Sequence, residues 1–114
     1  MVVKNDPAEI IRNAQKVFIS SRTVFLSPQL LEDELRNKAE FQAWKMVIVR
    51  DWRSADLAIE LDRPLFTFTF TFTVTNPQTN VVVESGKVTA VDGDAAAPKI
   101  ANELLKRIRA VRPL

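Results

Sequence analysis

"LFTFTFTFTV", residues 65–74, decides how this chain is read: four phenylalanines alternate with four threonines from Phe66 to Thr73. In an extended strand residues i and i+2 share a face. The four rings then line one side and the four hydroxyls the other. Burying one ring contributes about 1.5–3 kcal/mol, whereas several rings exposed in a row make a large sticky patch. The rings are therefore expected to form the sheet's half of the core, with the threonines facing outward.

The flanks extend the pattern. "LAIELD", 57–62, alternates Leu57, Ile59 and Leu61 and reads as the beginning of the same strand. Arg63-Pro64 interrupts it with a bend, a bulge or an unpaired edge, since proline cannot donate to a ladder. "NPQTN", 76–80, is a turn by composition, and "VVVESGKVTAVDG", 81–93, is the returning strand. Pairing Thr75 with Val81 sets Phe72 opposite Glu84, Phe70 opposite Gly86, Phe68 opposite Val88 and Phe66 opposite Ala90. A ring covering a glycine is a recognised way to pin a register.

Upstream, "DPAEIIRNAQ" opens a short helix: Asp6 caps, Pro7 suits the first helical position and Glu9 follows three residues after the cap. "KVFIS", 16–20, and "KMVIVR", 45–50, are compact apolar runs that read as buried strands. Between them Ser27-Pro28 starts a helix through "QLLEDELRNKAEF". Leu31, Leu35 and Ala39 face inward; Glu32, Asp33, Glu34, Arg36 and Lys38 face water. Strand, helix, strand at this spacing predicts a parallel pair. "DAAAPKIANELLKRIRAV", 94–111, repeats Ile100, Leu104, Ile108 and Val111 at helical spacing, capped by Asp94 or Ala97. The element order is α-β-α-β-β-β-α over residues 1–114. It predicts a single α+β domain, a two-layer sandwich with a mixed four-stranded sheet and helices on one face.

Composition narrows the chemistry. The 114 residues include no cysteine, histidine or tyrosine. Thiol nucleophiles, thiolate metal sites and the usual general base are thereby removed. Ser20-Ser21 has no histidine partner, and Gly86-Lys87 lacks the preceding glycine of a phosphate loop. Asp51, Asp56, Asp62, Asp92 and Asp94 fall at strand ends without the spacing of a calcium loop. Glu32, Asp33 and Glu34 diverge around their helix. The expectation is a protein that is not an enzyme and carries no cofactor and no metal. No apolar run reaches the length that spans a bilayer. A net charge of +2 is too small to imply nucleic acid. "MVVKNDPAEI" contains no apolar signal core, which fits either a cytoplasmic protein or a mature region behind a new methionine.

Two contact surfaces stand out. Thr67, Thr69, Thr71 and Thr73 are expected to share an outward face with Val83, Ser85 and Lys87. That face suits docking of a protein partner or a second copy; its plain alternative is an open sheet face in water. Lys99, Lys106, Arg107 and Arg109 on the last helix are candidate contacts for nucleic acid or another anionic surface. Their plain alternative is a solvated face matching the helix dipole. Trp52, in "RDWRSAD", is an aromatic contact point if exposed.

"SADLAIELDR" leading into a long strand, then "TNPQTNVVVESGKVTA" and an Ala-rich start to a last helix, resembles the periplasmic α/β modules of bacterial envelope lipoproteins. The curli-secretion channel lipoprotein, the penicillin-binding-protein activator lipoproteins and the TolB amino-terminal domain are of this kind. Ala55-Asp56-Leu57 matches their strand start. Asn76-Pro77-Gln78-Thr79-Asn80 matches their turn, with Asn80 where glycine is usual; both residues tolerate a left-handed backbone. The resemblance implies a binding or assembly module without catalytic residues, in the periplasm or envelope, attached to a membrane only through an amino-terminal anchor not seen in this sequence.

Overall fold

The computed structural model describes residues 6–113. Asp6 accepts a hydrogen bond from the Ala8 amide at 3.1 Å, and Pro7 occupies the first position of helix α1 (Pro7–Asn13). Glu9 does not close a capping box; it bonds to Arg12 and Asn13. Strand β1 (Lys16–Ser21) follows, and Ser27 caps helix α2 (Pro28–Arg36) by accepting from the Gln29 amide. The helix expected to run to Phe41 stops at Asn37. Lys38 has an extended backbone, and a separate turn of helix, α3 (Ala39–Ala43), begins after it. The break lets Phe41 and Trp44 turn into the core. Lys45, at φ 57°, closes α3: its amide bonds to Gln42 and the next amide, of Met46, to the Phe41 carbonyl. This is the left-handed helix end usually given to glycine.

Strand β2 (Val47–Ile48) leads to a single 3-10 turn (Trp52–Ser54), capped by Asp51, and then to β3 (Leu57–Asp62), β4 (Thr69–Asn76) and β5 (Val81–Thr89). Helix α4 (Gly93–Val111) completes the described chain. Its cap is Asp92, ahead of both Asp94 and Ala97, the two expected, and accepts from the Ala95 amide at 2.8 Å; Pro98 consequently lies inside the helix.

One mixed sheet of five strands, in the order β2-β1-β3-β4-β5, replaces the four-stranded sheet expected. β1 pairs in parallel with β2, as the strand-helix-strand spacing predicts, and also with β3. The extra strand arises because residues 57–62 and the Phe/Thr run do not form one strand. The chain reverses at residues 63–68, and β3 and β4 pair antiparallel, with Leu61 opposite Phe72. Pro64 and the left-handed Phe66 (φ 62°) make the reversal, and the Thr67 hydroxyl closes it by donating to the Pro64 carbonyl at 2.8 Å. Folding back pairs each alternating run with the other while both keep one apolar face on the core.

The reversal also corrects the ring assignment. Phe70 and Phe72 are buried, but Phe66 and Phe68 lie in or beside the reversal and are exposed. The β4–β5 register differs from that expected. Asn76 pairs with Val81 and Thr75 with Val82; a bulge then places Glu84 opposite Val74, Gly86 opposite Phe72 and Val88 opposite Phe70. Gly86 is thus covered by Phe72 instead of Phe70. The bulge leaves Val83 as the unpaired extra residue and buries it in the core.

The core is one cluster. Val17, Ile19, Leu57, Ile59, Leu61, Phe70, Phe72 and Val74 supply it from the sheet. Ile11, Leu31, Leu35, Phe41, Ile100, Leu104 and Ile108 supply it from all four helices. The helices therefore share one side of the sheet. The chain is α+β in two layers.

Candidate binding surface

Strand alternation fixes what the other side of the sheet presents. Val17 and Ile19 point into the core, so Phe18 and Ser20 point away; the same parity turns Ala58, Glu60, Thr73 and Thr75 outward. These six residues, with Trp52 at their end, line a shallow depression of about 320 Å³ across β1, β3 and β4. Trp52 is half-exposed, with the Arg53 guanidinium 5.8 Å from its ring centre. The surface mixes two aromatics, small and β-branched side chains, and one carboxylate.

Five of the seven residues expected on a partner face stand on or near this side. Thr69, Thr71 and Thr73 pair with Thr89, Lys87 and Ser85 across β4 and β5. Thr67 belongs to the reversal, outside the strand, and Val83 is in the core because of the bulge. The concave part of the surface is displaced from β5 towards β1. Phe18, Ala58, Glu60 and Thr75 were missed because "KVFIS" reads as a continuous apolar run, buried on both faces. The parity of Leu57, Ile59 and Leu61 was the available clue.

The four cations of the last helix do not form one surface. Arg107 reaches Glu84 at 2.7 Å and Glu103 at 3.3 Å, Arg109 bonds to Glu40, and Lys99 donates to the Thr89 carbonyl at 2.7 Å. Among the described residues Lys106 alone of the four has no such partner. Three of the four are therefore spent holding α4 to β5, α3 and its own face.

A second cleft, of about 360 Å³, opens beside α1 and is lined by Glu9, Asn13, Asp56, Asn76, Gln78 and Thr79, among others. Its polar groups are largely satisfied by one another and by the backbone. Asn76 donates to the Asp56 carbonyl and accepts from Thr79 twice; Gln78 donates to the carbonyls of Arg53 and Ala55. Asp56 accepts from the amides of Gln15 and Lys16 at 2.9 Å each. Asn80 adopts the left-handed backbone expected of it (φ 58°). These bonds lock the 76–80 turn to the start of β3, which is a structural task.

Charge is also buried under the helices. Glu32, expected in water, is 1% exposed; Oε2 meets Arg50 Nη1 at 2.5 Å and Oε1 stands 3.7 Å from Arg36. The hydrogen bond from Arg50, followed by its attraction to the carboxylate, raises the Arg50 pKa. Arg112 donates to the carbonyls of Ile11, Ala14 and Trp44, and burial lowers its pKa. Among the described residues no group of three acidic side chains is placed to hold a metal ion.

Comparison with known proteins gives little more. No family model matches this chain, and no curated protein matches it. A solved structure described as a neuraminyllactose-binding hemagglutinin homolog from Helicobacter pylori is similar over 99% of this chain and 91% of that one, at 12% identity and a TM-score of 0.29. A score that low carries no argument about fold or function.

Proposed function

We propose that this chain is a non-catalytic binding or assembly module that docks a protein surface on its open sheet face. The supporting observation is the one-sided sheet: four helices cover one face, while Phe18, Trp52, Ala58, Glu60, Thr73 and Thr75 shape a depression on the other. An aromatic-bearing concavity with few charges is the composition that protein interfaces favour at their centres. The likeness of Ala55-Asp56-Leu57 and of the 76–80 turn to envelope-lipoprotein modules makes the bacterial envelope the proposed location. Cell fractionation tests it: recovery with the cytosol alone would reject it.

The docking reading is tested by a photo-crosslinking residue at Thr73, with the same group at Asp33 on the helical side as control. A discrete crosslinked product from Thr73, to another protein or to a second copy, is expected, and none from Asp33. Equal products from both positions, or none from Thr73, would overturn the reading.

A further inference from the structure

Three connections meet at the end of the sheet where α4 starts. Residues 22–27 leave β1, residues 63–68 join β3 to β4, and residues 90–92 join β5 to α4. Contacts tie them together. The Arg22 amide bonds to the Leu61 carbonyl at 2.8 Å and the Ala90 amide to the Phe68 carbonyl at 2.9 Å. The Arg63 guanidinium lies 4.4 Å from the Phe25 ring centre. Gly93 sits so close to Phe25 that a Cβ there would stand 2.1 Å from the Phe25 carbonyl oxygen.

Every one of these connections sends apolar side chains into water: Val24 and Phe25 from the first, Leu65, Phe66 and Phe68 from the second, Val91 from the third. Phe66 is 99% exposed and Val24 95%, so neither rests on a neighbour. Phe66 also holds a left-handed backbone (φ 62°), a strained state for an aromatic residue that no packing of its ring offsets. The fold thus spends strain to hold an isolated ring outward.

We propose that this end of the sheet is a membrane-docking tip whose apolar side chains enter the interfacial layer of a lipid bilayer. Shape favours lipid over a protein. A protein interface packs at interior density and needs a socket for every projecting side chain, whereas the fluid boundary of a bilayer closes around separate apolar groups. Charge sets the kind of lipid contact. Arg22, Arg63 and Lys99, whose ammonium reaches the Thr89 carbonyl, are opposed by Asp62, Asp92 and Asp94, three positive against three negative, so the tip has no surplus for anionic headgroups. Insertion is therefore apolar and insensitive to salt. The tip rests on the membrane; among the described residues no helix is long and apolar enough to cross one.

Co-sedimentation with neutral phosphatidylcholine vesicles tests this. The wild-type chain should partition to the vesicles equally at low and high salt. The double variant Leu65→Ser, Phe66→Ser should lose about tenfold or more of that partition, with its unfolding midpoint unchanged because both side chains are exposed. A wild-type chain that stays in the supernatant would overturn the proposal. So would a double variant that binds equally, or binding that needs anionic lipid and vanishes with salt. A dimer in the absence of vesicles that the double variant abolishes would assign the tip to a second copy instead.

Discussion

The Phe72 ring lies across Gly86 on the neighbouring strand, so near that a methyl group on that glycine would stand 2.6 Å from Phe72 Cζ. Arg107 lies beside the same ring, its guanidinium carbon 5.7 Å from the ring centre, and one of its nitrogens would stand 3.0 Å from the added methyl. Gly86 does not have a positive φ, so its need for a bare backbone is one of space alone. Gly86→Ala should therefore displace both Phe72 and the Arg107–Glu84 pair and destabilise the fold by about 1–3 kcal/mol. A fall in the urea midpoint at unchanged slope measures it; an unaltered midpoint would mean that ring and arginine can move aside freely.

The four phenylalanines should separate into two classes. Phe70 is 1% exposed on the core side of β4, and Phe70→Ala should cost about 3–5 kcal/mol. Phe66→Ala should change stability by no more than about 0.5 kcal/mol, since the ring touches little. Thermal or urea unfolding of the two variants side by side decides the matter. Equal losses would mean that the chain does not reverse at Pro64.

Arg112 ties the end of α4 to the ends of α1 and α3 through three backbone carbonyls, 2.5 Å from Ala14, 3.3 Å from Ile11 and 2.9 Å from Trp44. Arg112→Ala should cost about 2 kcal/mol, by analogy with other hydrogen bonds made by charged groups. Lysine should restore only part of this, because a point charge cannot bridge carbonyls that a planar fork spans. Burial lowers the Arg112 pKa, yet arginine starts so high that it stays charged wherever the fold survives. The loss should accordingly be the same at pH 5 and pH 9, as paired melts would show.

Local rules were readable where they act locally. Asp6-Pro7 and Ser27-Pro28 start helices as their chemistry predicts, and Leu31, Leu35, Ile100, Leu104 and Ile108 face the core. What stayed hidden depends on contacts distant in sequence. Whether Pro64 bends one strand or separates two is decided by the partner β3 finds in β4. The bulge at Val83 moves a residue from one face to the other, and nothing in "VVVES" announces it. Glu32 stands between Asp33 and a leucine and looks solvated; its hydrogen-bonding partner when turned inward, Arg50, is eighteen residues on. The open face was half legible: the threonines marked β4, but Phe18 and Trp52, brought to it by the parallel strands, did not.

Among the described residues helix α4 follows every strand, and it supplies Ile100, Ala101, Leu104, Leu105 and Ile108 to the core. During synthesis the three-strand run from Leu57 to Thr89 can pair as soon as it emerges, since its partners are near in sequence. Its Phe70 and Phe72 side would then face water with no cover until the last helix leaves the ribosome. The interval between those two events is when a nascent chain is open to aggregation or to capture by a chaperone.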